Sequence, residues 1–291
     1  MHIALIGYGE VGRILAEDLR GHVLTACDVK DDLALRTHAE QHGVALTGSH
    51  AGAVRGADLI ISAVTASQAV AVAEACAPAL ASGAFLLDLN SASPGAKQHA
   101  AHVVDGAGGR YVEGAVMTSV PPCRIKVPLL LGGPHAAALE PALDGLGFAA
   151  RVASPTLGVA SATKMCRSVM IKGVEAMVIE SFTAARHYGV EDAVIASLND
   201  TFPGVDWEKQ AAYFFQRVIQ HGRRRSEEVR EVAVTVHEAG LEPYSAAGTA
   251  ERQAWMADLA DAGVFGARGT KDFGADADWR VPADRILKRL T

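Results

Sequence analysis

A chain of 291 residues is long enough for two domains, each burying its own core, which excludes disulfide miniproteins and metal-stapled peptides. Hydrophobic residues make up 49% and charged residues 21%, an ordinary globular composition that excludes a disordered or collagen-like chain. With 27 Lys+Arg against 33 Asp+Glu the formal charge is -6, so electrostatics favour a small-molecule partner over nucleic acid or an anionic membrane.

The chain opens on Ile3-Ala4-Leu5-Ile6, a short apolar run of buried-strand type. No basic region, apolar core and cleavage site precede it, and no later apolar stretch reaches the roughly 18 residues of a membrane helix. The expected localisation is therefore cytoplasmic. Cys27, Cys76, Cys123 and Cys166, far apart and without a Cys-x-x-Cys pair, fit reduced and buried thiols there.

Gly7-Tyr8-Gly9-Glu10-Val11-Gly12 follows the first strand and leads into a helix over 13–19. In a Gly-x-Gly-x-x-Gly turn, Gly7 allows the tight bend, Gly9 admits a pyrophosphate to backbone N–H groups, and Gly12 lets helix and strand pack closely. A second strand over 22–27 ends at Asp28, 21 residues after Gly7, where an acid that binds ribose hydroxyls belongs. This carboxylate would repel a 2′-phosphate, so NAD is expected ahead of NADP; Lys30 and Arg36 are the groups that would hold NADP. The alternative is a glycine turn without a ligand.

A strand over 57–64, an alanine-rich helix over 69–80 and a strand over 85–89 continue the alternation. Such alternation predicts a doubly wound parallel sheet with its ligand beyond the carboxyl ends of the strands, where Thr65 and Asn90-Ser91 lie. Asn90-Ser91-Ala92-Ser93-Pro94 opens a helix and suits a substrate carboxylate, or else it is simple N-capping. Strands over 111–119 and 127–133 are expected to be the last of this domain.

A long helix is expected from Thr156 to about Gly189, with Lys164, Ser168, Lys172 and Glu175 forming a polar stripe on an otherwise apolar surface. The stripe either faces a cleft or faces water, with Lys172 pairing Glu175 at i+3. Further helices are expected over 190–199, 207–221, 226–240 and 248–262, making the second domain all-α. His221 and the basic run Arg223-Arg224-Arg225 precede one of these starts. They either hold an anionic substrate or form surface pairs of Arg223 with Glu227 and Arg224 with Glu228. His38/His42 and His99/His102 stand at helical spacing but bring no third ligand, so no metal is expected.

Four blocks in order now carry a resemblance: Gly7 to Gly12; Asp88-Leu89-Asn90-Ser91-Ala92-Ser93-Pro94; Glu113-Gly114-Ala115-Val116-Met117-Thr118-Ser119; and Gly158 through Lys164 to Ser168. Over essentially its whole length the sequence resembles the superfamily of 3-hydroxyisobutyrate dehydrogenase and 6-phosphogluconate dehydrogenase, in particular members with a phosphogluconate-dehydrogenase-like C-terminal domain. The resemblance implies a Rossmann NAD(P)-binding domain over 1–155 and an all-α domain over 156–291 that carries substrate contacts and forms a homodimer. It assigns substrate contacts to Asn90, Ser91, Thr118 and Ser119 and acid/base work to Lys164. Two departures stand out: Ser168 occupies a position usually held by Asn, and Met117-Thr118-Ser119 replaces Ser-Gly-Gly.

The expected activity is hydride transfer between nicotinamide and the carbinol carbon of a small anionic hydroxy acid. Lys164 would take the hydroxyl proton and Ser168 position the hydroxyl, with His221 and Arg224 as further substrate contacts. The alternatives are an imine reductase on the same scaffold, which usually lacks a lysine at the position of Lys164, and a non-catalytic NAD sensor.

Overall fold

The computed structural model describes residues 1–290; Thr291, the last residue of the expected second domain, lies outside the described residues. Two compact units divide the chain, Met1–Cys166 and Arg167 onward.

The first unit is built on one eight-stranded sheet. In chain order it comprises β1 (His2–Ile6), α1 (Glu10–Asp18), β2 (Val23–Cys27), α2 (Leu33–Gln41), β3 (Val44–Leu46), α3 (His50–Val54), β4 (Leu59–Ser62), α4 (Ala69–Cys76) and β5 (Phe85–Asp88). It continues with α5 (Pro94–Gly106), β6 (Arg110–Val116), α6 (Val120–Cys123), β7 (Leu129–Gly132), α7 (Ala136–Gly145) and β8 (Ala150–Ser154). The strand order is β3-β2-β1-β4-β5-β6-β7-β8, parallel throughout except at β6/β7. Ile3, Ala4, Leu5 and Ile6 are all buried because helices cover both faces of the sheet, which is why β1 reads as a continuous apolar run. The strand order reverses between β1 and β4, and such a switch point leaves a crevice at the strand carboxyl ends.

Two strands lie outside the expected set. β3, Val44-Ala45-Leu46, is apolar but only three residues long, too short to stand out as a strand, and β8 is an edge strand with alternating half-buried and exposed positions, which needs no apolar run. The helix expected over 69–80 is regular only to Cys76, after which Pro78 lies in a tighter 3₁₀ turn.

α8 (Val159–Tyr188) is the long expected helix and begins within the first unit. The second unit continues with α9 (Glu191–Thr201), α10 (Trp207–Glu238), α11 (Tyr244–Asp261) and α12 (Arg280–Leu290), the last of which the sequence pattern did not announce. Phe182, Phe215, Ile219, Met256, Trp279 and Ile286 form its core. No described helix is long and apolar enough to cross a membrane.

One correction concerns the basic run. The helices expected over 207–221 and 226–240 are a single helix, α10, which passes through His221 and Gly222 without a break. Gly222 is a packing device: a Cβ there would lie 2.9 Å from the Gln253 carbonyl oxygen of α11, so glycine permits the close crossing. On α8 the pair expected for a stripe facing water, Lys172 with Glu175, does not form. Lys172 Nζ donates to Glu228 Oε2 at 2.7 Å, and Glu175 is paired with Arg225, so Lys172 and Glu175 are not partners.

Candidate functional site

The glycine turn sits at the carboxyl end of β1, beside the switch point. Gly7 has φ +91°, and a Cβ on it would come within 2.4 Å of the Ala63 carbonyl oxygen; one on Gly12 would come within 2.2 Å of the Gly7 carbonyl oxygen. A Cβ on Gly9 would meet nothing within 4 Å. The turn is thus closed on the protein side at Gly7 and Gly12 and open at Gly9, the shape a pyrophosphate needs, with the N-terminus of α1 behind it. Glu10 is exposed and Val11 half-buried at that helix start.

Asp28 is tied into this turn. Its Oδ2 accepts from the Tyr8 N–H at 2.6 Å and its Oδ1 from the Lys30 N–H at 2.8 Å, which leaves further lone pairs on both oxygens for hydroxyl donors. Arg36, one of the groups that would hold a 2′-phosphate, is engaged bidentately by Asp31. Tyr8 is fully buried, and its hydroxyl lies 3.0 Å from His38 Nδ1. Burial chiefly pushes the Tyr8 hydroxyl up to about 12, with Arg13 opposing and Glu17 reinforcing, so it stays protonated. The residues present therefore fit a dinucleotide.

The second turn follows β5 and is built on buried polar groups that the sequence reading did not single out. Asp88 accepts from Lys97 Nζ at 3.0 Å, from the Tyr111 hydroxyl at 2.7 Å and from the Asn90 N–H at 2.8 Å. Burial, reinforced by the charge of Asp88, drives the Tyr111 hydroxyl well above its ordinary value, which keeps the donated proton in place. The Asn90 side chain is buried too: Oδ1 accepts from the Val64 N–H at 2.7 Å and Nδ2 donates to Ser62 Oγ at 2.9 Å. Asn90 thus holds the ends of β4 and β5 together, and Ser91 presents the hydroxyl of this turn. Lys164 Nζ donates to Ser91 Oγ at 2.6 Å, joining residues 73 positions apart.

What brings Lys164 there is Glu113, a second buried acid missed from the sequence. Its Oε1 accepts from the Gly158 and Ala160 N–H groups at 2.9 and 3.0 Å, and its Oε2 accepts from Ser161 Oγ at 2.8 Å. A carboxylate on β6 therefore caps the start of α8, satisfying orphan helix donors and favouring the positive end of the helix dipole. The available signal was an acid inside an otherwise apolar strand, Tyr111-Val112-Glu113-Gly114-Ala115-Val116.

Thr118 is exposed and Ser119 half-buried at the loop between β6 and α6. Thr65 is exposed after β4, its hydroxyl 3.4 Å from that of Ser67. In the second unit Ser168 is buried on α8, while His221 and Arg224 are exposed on α10. Arg224 pairs with Glu228 at i+4, as one expectation had it, but Arg223 bonds Asp258 and Asp261 of α11 instead of Glu227. The fold also supplies what the His38/His42 spacing lacked, a third candidate ligand: Glu17 from α1.

Residues 2–150 match the family described as the NAD binding domain of 6-phosphogluconate dehydrogenase, and residues 185–256 match a domain of unknown function (DUF1932). The chain is 36% identical to a conserved hypothetical protein from Sinorhizobium meliloti 1021, covering 98% of this chain and 96% of that one with a TM-score of 0.76. It is 28% identical to the conserved protein MTH1747, whose structure was described as similar to 3-hydroxyacid dehydrogenases, over 90% and 98% of the two chains at a TM-score of 0.70. Mycobacterium tuberculosis 3-hydroxyisobutyrate dehydrogenase, solved with L-serine, shares the fold at a TM-score of 0.72 and 16% identity, over 100% and 99% of the chains.

Proposed function

Since the chain belongs to the family of the NAD binding domain of 6-phosphogluconate dehydrogenase, we propose that it is an NAD-dependent oxidoreductase acting on the carbinol carbon of a small anionic hydroxy acid, with Lys164 as general acid/base. The observation that carries this reading is the 2.6 Å hydrogen bond from Lys164 Nζ to Ser91 Oγ, which sets a lysine amine at the turn after β5.

NAD, when bound, supplies the hydride acceptor. Gly7, Gly9 and Gly12 would cradle its pyrophosphate, and Asp28 would accept from ribose hydroxyls. Ser91 and the start of α5, where Ser93 caps and Pro94 takes the first helical position, form a donor-rich end suited to the substrate's carboxylate. Lys164 Nζ removes the hydroxyl proton in oxidation and returns it in reduction, held on target by Ser91 and by the Glu113 cap. Ser168, Thr118, Ser119, His221 and Arg224 are assigned to the substrate in the same reading.

The test is a panel of small hydroxy acids and cyclic imines assayed by nicotinamide absorbance, followed by Lys164→Met on whichever substrate turns over. A positioned proton-transfer group contributes about 10²–10⁴-fold, so turnover should fall within that range while NAD affinity stays unchanged. Retention of more than about a tenth of the rate, or turnover of imines alone, overturns the assignment.

The reading includes a homodimer formed through the helical unit. Met170 and Met177 of α8 are 65% and 63% exposed, a costly display for a helix with nothing to cover it. Light scattering at micromolar concentration should give twice the chain mass, and a monomer removes this part of the proposal.

A further inference from the structure

Away from the residues assigned to catalysis, α1 and α2 bring three metal-competent side chains together on one side of the sheet. Glu17 Oε1 and His38 Nε2 are 3.1 Å apart, and His42, one turn beyond His38, lies with its ring centroid 4.4 Å from that of His38. One ligand atom from each of Glu17, His38 and His42 falls within 4.8 Å of the others. Across a tetrahedral zinc with bonds near 2.0–2.2 Å, ligand atoms stand about 3.3 Å apart. The Glu17–His38 edge therefore already has the right length, and His42, at the end of α2, needs a side-chain shift of at most about 1.5 Å to complete the face.

The atoms that would not ligate are already occupied. Arg124 Nη2 donates to Glu17 Oε2 at 2.6 Å, which turns Oε1 toward His38. Tyr8 Oη lies 3.0 Å from His38 Nδ1, so the tautomer with its proton on Nδ1 donates to the phenol and leaves the Nε2 lone pair facing Glu17 Oε1. Two lone pairs facing each other at 3.1 Å repel unless a cation lies between them. A hydrogen-bonded far nitrogen on the histidine and an oriented carboxylate are what a metal site builds around its ligands. Glu17 and His42 also line a surface pocket with Asp18, Arg20 and Arg124, which gives an ion an entry path and leaves space for a water ligand.

The geometry points to Glu17, His38 and His42 as a three-ligand site for one divalent transition ion of the zinc type, clamping α1 to α2 behind the glycine turn. Two imidazoles and one carboxylate suit zinc or cobalt better than magnesium or calcium, which prefer all-oxygen shells. The competing arrangement places the proton on Nε2, so that His38 donates to Glu17 and accepts from Tyr8, and then no ion is held.

Titration of chelator-treated protein with cobalt(II) alone, read by visible absorbance, separates the two. The site predicts one equivalent with the intense absorption of tetrahedral cobalt, displaced by zinc, and a rise in thermal midpoint with added zinc. His42→Ala and Glu17→Gln, each checked for folding by circular dichroism, should weaken binding at least tenfold and abolish the zinc-dependent rise. His99→Ala, which removes an exposed histidine 3.6 Å from Glu74, should leave both unchanged. Absence of a tetrahedral spectrum, equal affinity in His42→Ala, or equal weakening in His99→Ala overturns the proposal.

Discussion

Asp88 in the first unit and Glu175 in the second are both almost fully buried carboxylates, yet they are satisfied in different ways. Asp88 ends a strand, where the backbone has left the sheet ladder and its N–H groups are available. It takes the Asn90 N–H together with Lys97 and Tyr111, and Lys97 Nζ also donates to the Asp88 carbonyl at 2.9 Å. Glu113 is met in the same way, by the free N–H groups at the start of α8. Glu175 lies mid-helix, where every neighbouring backbone group is committed to the i→i−4 ladder, so only side chains reach it. Arg225 and Gln253 donate to it, and Arg217 Nε approaches to 3.4 Å without hydrogen-bond geometry. Arg225 Nε, Arg217 Nε and Gln253 Oε1 remain buried without hydrogen-bond partners. A buried charge at a strand end can be closed by backbone; one among helices depends on long side chains that rarely satisfy every atom.

The largest expected effect comes from breaking the closed network. Lys97→Met leaves Asp88 buried without its counter-charge and should cost about 3–5 kcal/mol, read as a lowered urea midpoint. A loss below about 1 kcal/mol would mean that Tyr111 and the Asn90 N–H suffice alone.

Replacing both charges of a pair sharpens the contrast. Glu175→Leu with Arg225→Met should be neutral or up to about 1–4 kcal/mol stabilising, because the desolvation of both charges and the unpartnered Arg225 Nε disappear together. Asp88→Leu with Lys97→Met should remain destabilised by about 1–3 kcal/mol, because the Tyr111 hydroxyl and the Asn90 N–H lose their acceptor. Equal outcomes for the two doubles would erase the distinction between strand-end and mid-helix carboxylates.

The smallest effect is one of pH. Burial holds the Lys172 amine below its ordinary value, with Glu228 opposing and Arg225 and Arg224 reinforcing the shift. Between that lowered value and the ordinary lysine range near 10.4, the unfolded chain binds more protons than the folded one, so stability attributable to Lys172 rises with pH. Urea midpoints measured from pH 8 upward should therefore climb more steeply in the native protein than in Lys172→Met. Parallel curves would mean that Lys172 titrates as an ordinary lysine.

The fold was legible where periodicity is strong. The run Ile3-Ala4-Leu5-Ile6, the glycine turn, Asp28 at the end of β2 and the long helix α8 all lie where the pattern places them, because a strand buried on both faces and a tight turn leave little choice of residue. β8 was not legible, since an edge strand with alternating exposure needs no apolar run. The break expected after residue 221 is absent because Gly222, a residue type that can end a helix, here admits a neighbouring one, and a sequence does not distinguish the two uses. The basic run was half legible: Arg224 takes the local partner Glu228, whereas Arg223 and Arg225 take partners 35 or more residues away.

The sequence by itself determined the architecture and the glycine turn, because each rests on local spacing: strand, turn and helix within a few tens of residues; Lys164 took its expected role from the resemblance alone. Only the tertiary structure decided which polar groups work together. Lys164 meets Ser91 across 73 positions, Glu113 caps a helix 45 positions away, and Glu17 joins His38 from a different helix. Such partners are chosen by sheet order and by the need of buried charges for donors. A linear sequence displays the charges without saying which of them will be buried side by side.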